Sequence, residues 1–139
     1  MSYIPAQLRR LVIERAASRC EYCLLSQEGQ EATFHIDHVF PTSFGGETIA
    51  GNLALACVSC SLRKAARQSV VDPQTGSEVP LYNPRRDDWN DHFDWEDEYI
   101  EGKTLTGRAT VAALNMNRLL AIAIRRAEIK LGRHPPPSI

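Results

Sequence analysis

The chain has 139 residues, 43% hydrophobic and 24% charged, with a formal net charge of −1. That length suits one compact domain or a small module plus an extension, and the composition excludes a disordered chain. No run of about 18 apolar residues occurs, which excludes a membrane-spanning helix; the opening MSYIPAQLRR lacks a leader's apolar stretch, so a cytoplasmic location is expected.

Pro5 in a first-turn position, with Leu8, Leu11, Val12 and Ala16 at helical spacing, predicts an amphipathic helix over 5–18. Cys20-Glu21-Tyr22-Cys23 makes a tight knuckle, followed by a polar loop over 26–30. Residues 32–39 read as a short strand ended by Pro41, which cannot continue a ladder. Residues 42–52, with Gly45-Gly46 and Gly51, read as an irregular loop, and 58–68 as a helix starting inside a second cysteine pair. Asp72-Pro73-Gln74-Thr75-Gly76 is turn chemistry, and residues 80–86 are extended. Trp89, Phe93 and Trp95 interleave with acids and are expected to anchor this arm onto the first half. Thr104 or Thr106 is expected to cap a helix through Leu114, and Asn117 another to Leu131, stopped by Gly132 ahead of a proline-rich tail.

Charge is unevenly spread. Residues 1–70 carry 7 Lys+Arg against 6 Asp+Glu, and residues 71–139 carry 9 against 11. Residues 87–101 hold eight acids and no Lys or Arg, so a phosphate backbone must approach from elsewhere. The basic candidates to receive it are Arg9, Arg10, Arg15 and Arg19 near the start, then Arg63, Lys64 and Arg67, and finally Arg125, Arg126 and Arg133.

The four cysteines form two C-x-x-C pairs, Cys20/Cys23 and Cys57/Cys60, with 33 residues between them. Each pair sets two thiolates on one side of a bend, the arrangement tetrahedral Zn²⁺ requires. A disulfide framework fits poorly with a chain lacking a secretory leader. The zinc is expected to be structural, contributing folding free energy rather than chemistry.

Between the pairs lie Phe34-His35-Ile36-Asp37-His38-Val39-Phe40-Pro41, then Gly45-Gly46, then Asn52-Leu53; Ser61-Leu62-Arg63-Lys64 follows the second pair. This frame resembles the HNH endonucleases, also called His-Me finger or ββα-metal nucleases, of the zinc-stapled four-cysteine type. Residues 80–110 are similar to the C-terminal extension of one bacterial subgroup of that family. The resemblance implies an α+β fold: a ββα-metal core with its structural zinc site and N-terminal helix over 1–70, and a C-terminal helical extension packed on it over 71–139. It implies a metal-dependent endonuclease hydrolysing DNA phosphodiester bonds, with no membrane partner and no small-molecule cofactor. One such site cuts one strand, so duplex breaks would imply a homodimer.

The residue chemistry fits that picture. Asp37 offers a hard carboxylate oxygen for a catalytic Mg²⁺ or Mn²⁺. His38 has the side chain whose ordinary pKa suits a general base for water. On a regular strand the two would point to opposite faces, so joint action requires a bend. His35 shares a face with Asp37 and is either a metal or phosphate contact or a structural histidine. By resemblance, Asn52 holds the loop that orients His38, the alternative being a simple turn residue after Gly51; Arg63, Lys64 and Arg67 either project toward phosphates or form a solvated helix face. The family usually has Asn or His directly after the second cysteine pair, completing the catalytic metal site; here Ser61 stands there, a shorter and weaker donor. Two rival readings remain open: a degenerate, non-cutting, zinc-stabilised nucleic-acid-binding module, and a protein-interaction domain built on the aromatic–acidic stretch.

Overall fold

The computed structural model describes residues 3–137. Helix α1 (Ala6–Arg15) buries Val12 completely. It stops short of the expected residue 18 because Ala17 and Ser18 both take left-handed backbone angles, φ 52° and 57°. That reversal lets Ser18 O accept from Gln27 N at 2.8 Å and pairs Arg19 with Ser26, which closes the first cysteine knuckle.

Strands β1 (His35–His38) and β2 (Leu53–Ala56) pair antiparallel, His35 opposite Ala56 and His38 opposite Leu53. Strand β2 reads Leu-Ala-Leu-Ala and is buried on both faces, so its sequence shows none of the apolar–polar alternation of a half-exposed strand. Helix α2 (Val58–Lys64) follows at once and ends at Ala65, φ 49°, ahead of the expected residue 68. These three elements are the ββα unit.

Past it, β3 (Ser69–Val71) and β4 (Glu78–Pro80) form a hairpin about the Asp72 turn. Helix α3 (Trp89–His92) leads into a second hairpin, β5 (Phe93–Glu96) with β6 (Tyr99–Gly102), and helices α4 (Leu105–Ala113) and α5 (Leu119–Lys130) complete the chain. The extension therefore adds two hairpins to the helices expected there, and residue 70, the expected division, falls inside β3. Thr104 caps α4 by accepting from Gly107 N at 2.9 Å. Asn117 does not cap α5; its amide instead bonds both Ile100 N and Ile100 O at 2.8 Å, tying α5's entry to β6.

One buried apolar cluster runs through both halves, from Val12, Tyr22 and Leu53 to Trp89, Phe93, Ile100 and Met116. The Trp89 indole N–H donates to Tyr22 O at 2.8 Å, so the expected aromatic anchor reaches the first knuckle. Among the described residues no helix is long and apolar enough to cross a membrane.

Helix α4 lies so close to its neighbours that a Cβ added at Gly107 would stand 2.0 Å from His92 O. Gly107→Ala gains about 1 kcal/mol of helix propensity but overpacks against backbone, at a cost of about 1–3 kcal/mol or more. A lower urea midpoint with an unchanged slope is the expected result. Asp72 is buried and accepts from Arg108 at 3.1 and 3.2 Å and from Thr75. Hydrogen bonds from Arg108 hold its carboxyl down at about 2. A depressed folded-state pKa stabilises above the unfolded value and loses that contribution as pH falls through the folded one. Melting temperature should therefore drop between about pH 4 and pH 2, and Arg108→Gln should flatten that drop.

Candidate metal centre and adjoining cleft

The Sγ atoms of Cys20, Cys23, Cys57 and Cys60 all lie within 4.8 Å of one another, all four residues buried and none in a disulfide. Tetrahedral Zn–S bonds of about 2.3 Å give S···S edges of about 3.8 Å; Cys23 and Cys57 Sγ stand 3.7 Å apart. In each pair the second backbone N–H points at the first sulfur, Cys23 N to Cys20 Sγ at 3.5 Å and Cys60 N to Cys57 Sγ at 3.4 Å. Hydrogen bonds from Cys20, Cys23 and Cys60 pull the Cys57 thiol far below its usual range, while burial pushes Cys20 up. The donor set, its spacing and its burial suit a structural Zn²⁺.

Four thiolates around Zn²⁺ carry a net double negative charge, and burying it requires nearby cations. The far end of the chain supplies two. Arg118 directs one guanidinium nitrogen to Cys57 Sγ at 3.6 Å. Burial works against that cation, but Cys23, Cys57 and Cys60 outweigh it and hold its pKa above the ordinary value. Arg125 is 2% exposed and bonds Cys23 O, Met116 O and Glu98 O, with its guanidinium 5.5 Å from the Trp95 ring centre. Neither arginine has a carboxylate partner among the described residues. The cysteine cluster is their anionic neighbour.

Beside the cluster, a cleft of about 740 Å³ is lined by His35, Asp37, His38, Pro41, Ser61 and Arg9. Both members of the Asp37-His38 pair reach it because His38 is the last residue of β1, where the chain turns away. Asp37 Oδ2 accepts from Tyr22 Oη at 2.9 Å and lies 3.2 Å from Lys64 Nζ. Burial raises the Asp37 carboxyl above its ordinary pKa, and Lys64 and Tyr22 offset only part of that rise. His38 Nε2 is 2.9 Å from Thr48 Oγ1, and His35 Nδ1 is 2.9 Å from Ser61 Oγ.

Asn52 uses both ends of its amide. Its Oδ1 accepts from Phe40 N at 2.8 Å, and its Nδ2 donates to Phe40 O at 3.0 Å and Glu47 O at 2.8 Å. Gly46 closes the same loop: a Cβ there would lie 1.8 Å from Phe40 O. Arg15 braces the far side by donating to Ala50 O and Leu53 O, on either side of Asn52.

The basic residues divide sharply. Lys64, expected to project toward phosphates, is 1% exposed, pairs with Asp37 and donates to His38 O at 3.1 Å. It closes a turn of α2 onto the strand, which the helix spacing alone could not reveal. Arg125 is buried, Arg126 pairs with Glu98 and Arg133 with Glu128. Arg63 and Arg67 remain exposed at the end of α2, and exposed Arg9 borders the cleft. Tyr22 and Thr48 escaped the sequence reading as site residues, and Arg15, expected to receive a phosphate backbone, is spent on the carbonyls of Ala50 and Leu53. Only Tyr22 carried a signal, being an aromatic inside a cysteine knuckle. Apart from the cysteines, the described residues gather no three His, Cys, Asp or Glu side chains. A catalytic ion would thus rest on Asp37 and few other protein donors, the sparse ligation that suits Mg²⁺.

Residues 20–67 match the family described as HNH endonuclease. The chain is 23% identical over 114 residues to the Septu protein PtuB of Bacillus thuringiensis, a match covering 81% of this chain and 42% of that protein. The chain thus spans less than half the length of that relative. No solved structure matches. The matched segment contains both cysteine pairs, the ββα unit and the cleft residues of β1, so residues 20–67 form an HNH domain of α+β architecture.

Elemental analysis should give one zinc per chain, lost in Cys57→Ser together with the fold. Arg118→Met should keep the far-UV spectrum but weaken zinc retention about 10-fold or more in a chelator competition, as removal of an outer-shell partner does. Equal retention in Arg118→Met and parent would break the charge-matching argument.

Proposed function

We propose that this protein is a metal-dependent endonuclease that hydrolyses DNA phosphodiester bonds at the cleft beside the cysteine cluster. The observation that carries the reading is the convergence of Asp37, His38 and Ser61 on one cleft, with Asn52 locking the loop between them, inside a segment that matches HNH endonucleases.

His38 acts as general base. In the tautomer whose Nε2–H donates to Thr48 Oγ1, 2.9 Å away, the other ring nitrogen, Nδ1, carries the lone pair that takes a proton from the attacking water. Asn52 and Arg15 keep that imidazole in place by fixing the loop after β1. Asp37 would hold a Mg²⁺ or Mn²⁺, with Ser61 and His35, which contact each other, as the nearby protein donors that would share it. A divalent ion bound there polarises the scissile phosphate and stabilises the leaving oxygen. Tyr22 and Lys64 aim the buried carboxylate and work against the upward pKa shift that its burial causes. The cysteine cluster, as a structural zinc site, fixes both partners: Tyr22 lies inside the first knuckle and Lys64 one turn beyond the second. One cleft per chain cuts one strand, and duplex breaks require two copies. The setting is cytoplasmic.

The rival reading is a non-cutting nucleic-acid-binding module. Ser61 in the usual Asn or His position, already bonded to His35, favours it. Purified protein incubated with plasmid and Mg²⁺ or Mn²⁺ decides between them. Cleavage by the parent, with His38→Ala slowed by roughly 10²–10⁴-fold at unchanged zinc content, is the expected outcome. Thr48→Val should lower kcat more than it raises KM, because it frees the His38 ring without touching DNA. A parent inert on single- and double-stranded DNA, yet shifting both in a gel, would establish the binding module instead.

A further inference from the structure

The wall of the cleft has a second side. Val39 and Phe40, the two residues after His38, line a separate cavity of about 380 Å³ whose other walls include Arg67, Gln68, Asn83 and Arg86. Lys64 belongs to both sides, lining this cavity while pairing with Asp37 and donating to His38 O. The two cavities thus adjoin in sequence, His38 lining one and Val39 and Phe40 the other.

The chemistry of this second cavity is specific. No carboxylate lines it, although the chain is net acidic. Arg67 spends one guanidinium nitrogen on the carbonyls of Arg63 and Ala113 and has no ion-pair partner among the described residues. Arg86 has a side chain 69% exposed, with Asp87 at a loose 3.7 Å from its Nε and outside the lining. The Asn83 side chain uses its oxygen on Arg85 N and Arg86 N, which leaves its NH₂ group as a donor. Phe40 presents a ring to solvent, 45% exposed, beside Phe44 at 6.4 Å. An exposed aromatic on a loose loop would carry little meaning. This one is fixed at its backbone by Asn52 on both N and O and by Gly46, the contacts that also hold the loop behind His38.

The geometry points to this cavity as a subsite for the nucleotide next to the scissile phosphate, with Arg67 and Arg86 taking its backbone phosphate and Phe40 stacking on its base. The assignment rests on the cleft being the place where DNA is cut. Two guanidiniums and a rigid flat ring match an anion joined to an aromatic base, and nucleic acid is the polymer that repeats that pair. A base that stacks on Phe40 must leave its own stack, so the subsite selects strands whose flanking nucleotide is unpaired. Arg86 lies in the extension, which makes the extension part of the substrate surface.

The test uses the full chain and a fluorescein-labelled single-stranded oligodeoxynucleotide, read by anisotropy across a salt series, with cleavage of the same strand followed in parallel. Phe40→Ala should weaken binding by about 5- to 100-fold without changing the salt slope. Arg86→Gln should weaken it several-fold and lower that slope by about 1, and Arg86→Lys should restore the slope. Both side chains are exposed, and zinc content with melting temperature verifies that each variant is folded. If both variants bind and cut like the parent, the subsite is wrong while the nuclease reading stands. If the parent cuts nothing but the variants lose binding as described, the subsite stands as a binding site and the nuclease reading falls.

Discussion

Charge removed from water must be met by opposite charge or by hydrogen bonds, and besides the buried Asp72 paired with Arg108 this small core meets that constraint at two places beside the cleft. One is the cysteine cluster, faced by Arg118 and Arg125. The other is the Asp37 carboxylate, faced by Lys64 and Tyr22. They are mechanically one system. Tyr22 sits between the cysteines of the first knuckle, and Lys64 lies one turn beyond Cys60, so whatever closes the cluster also sets both partners of Asp37. The cleft's electrostatics therefore depend on a site about which no reaction occurs.

The extension takes part in the same arrangement. Arg85 pairs with Glu21, whose other oxygen accepts from Leu55 N at 2.7 Å, so the arm, the knuckle and β2 meet at one carboxylate. Trp89 donates to Tyr22 O, and Arg125 to Cys23 O. Three separate polar contacts thus land on residues 21–23, the segment that carries both a sulfur of the cysteine cluster and the hydroxyl facing Asp37. Of the acids of residues 87–101, Asp87 and Asp88 border a cavity distinct from the cleft, with Trp89 and Trp95.

What could be read in the sequence were features declared by local spacing. The two C-x-x-C pairs, the Asp37-His38 pair and the Asn52-Leu53 step all lie in one contiguous frame, and the matching family segment begins at Cys20 and ends at Arg67. Strand β2 could not be read from alternation, since burial on both faces erases the polar positions. The hairpin of β5 and β6 was hidden because its acids point outward, while Phe93 and Ile100 are buried, in a stretch that composition marks as a solvated face. Lys64 is the most instructive case. A lysine near the end of a short helix is ordinarily solvated, and only the tertiary approach of β1 turns it inward. Asn117 failed as a cap for a similar reason: its amide found two backbone partners on β6, a stronger arrangement than one bond to its own helix.

The placement of Arg118 and Arg125 bears on how the chain matures during synthesis. All four cysteines leave the ribosome well before α5 does, so a nascent chain that has closed its knuckles still lacks both matching cations. Its cysteines at that stage lack the Arg118 contact at Cys57 and the Arg125 contact at Cys23 that the complete chain supplies. Arrival of α5 seals the cluster behind two guanidiniums. The contacts that tie the cysteine cluster to the C-terminal helix are thus the last that the chain can make, because both of their donors are encoded after every residue they meet.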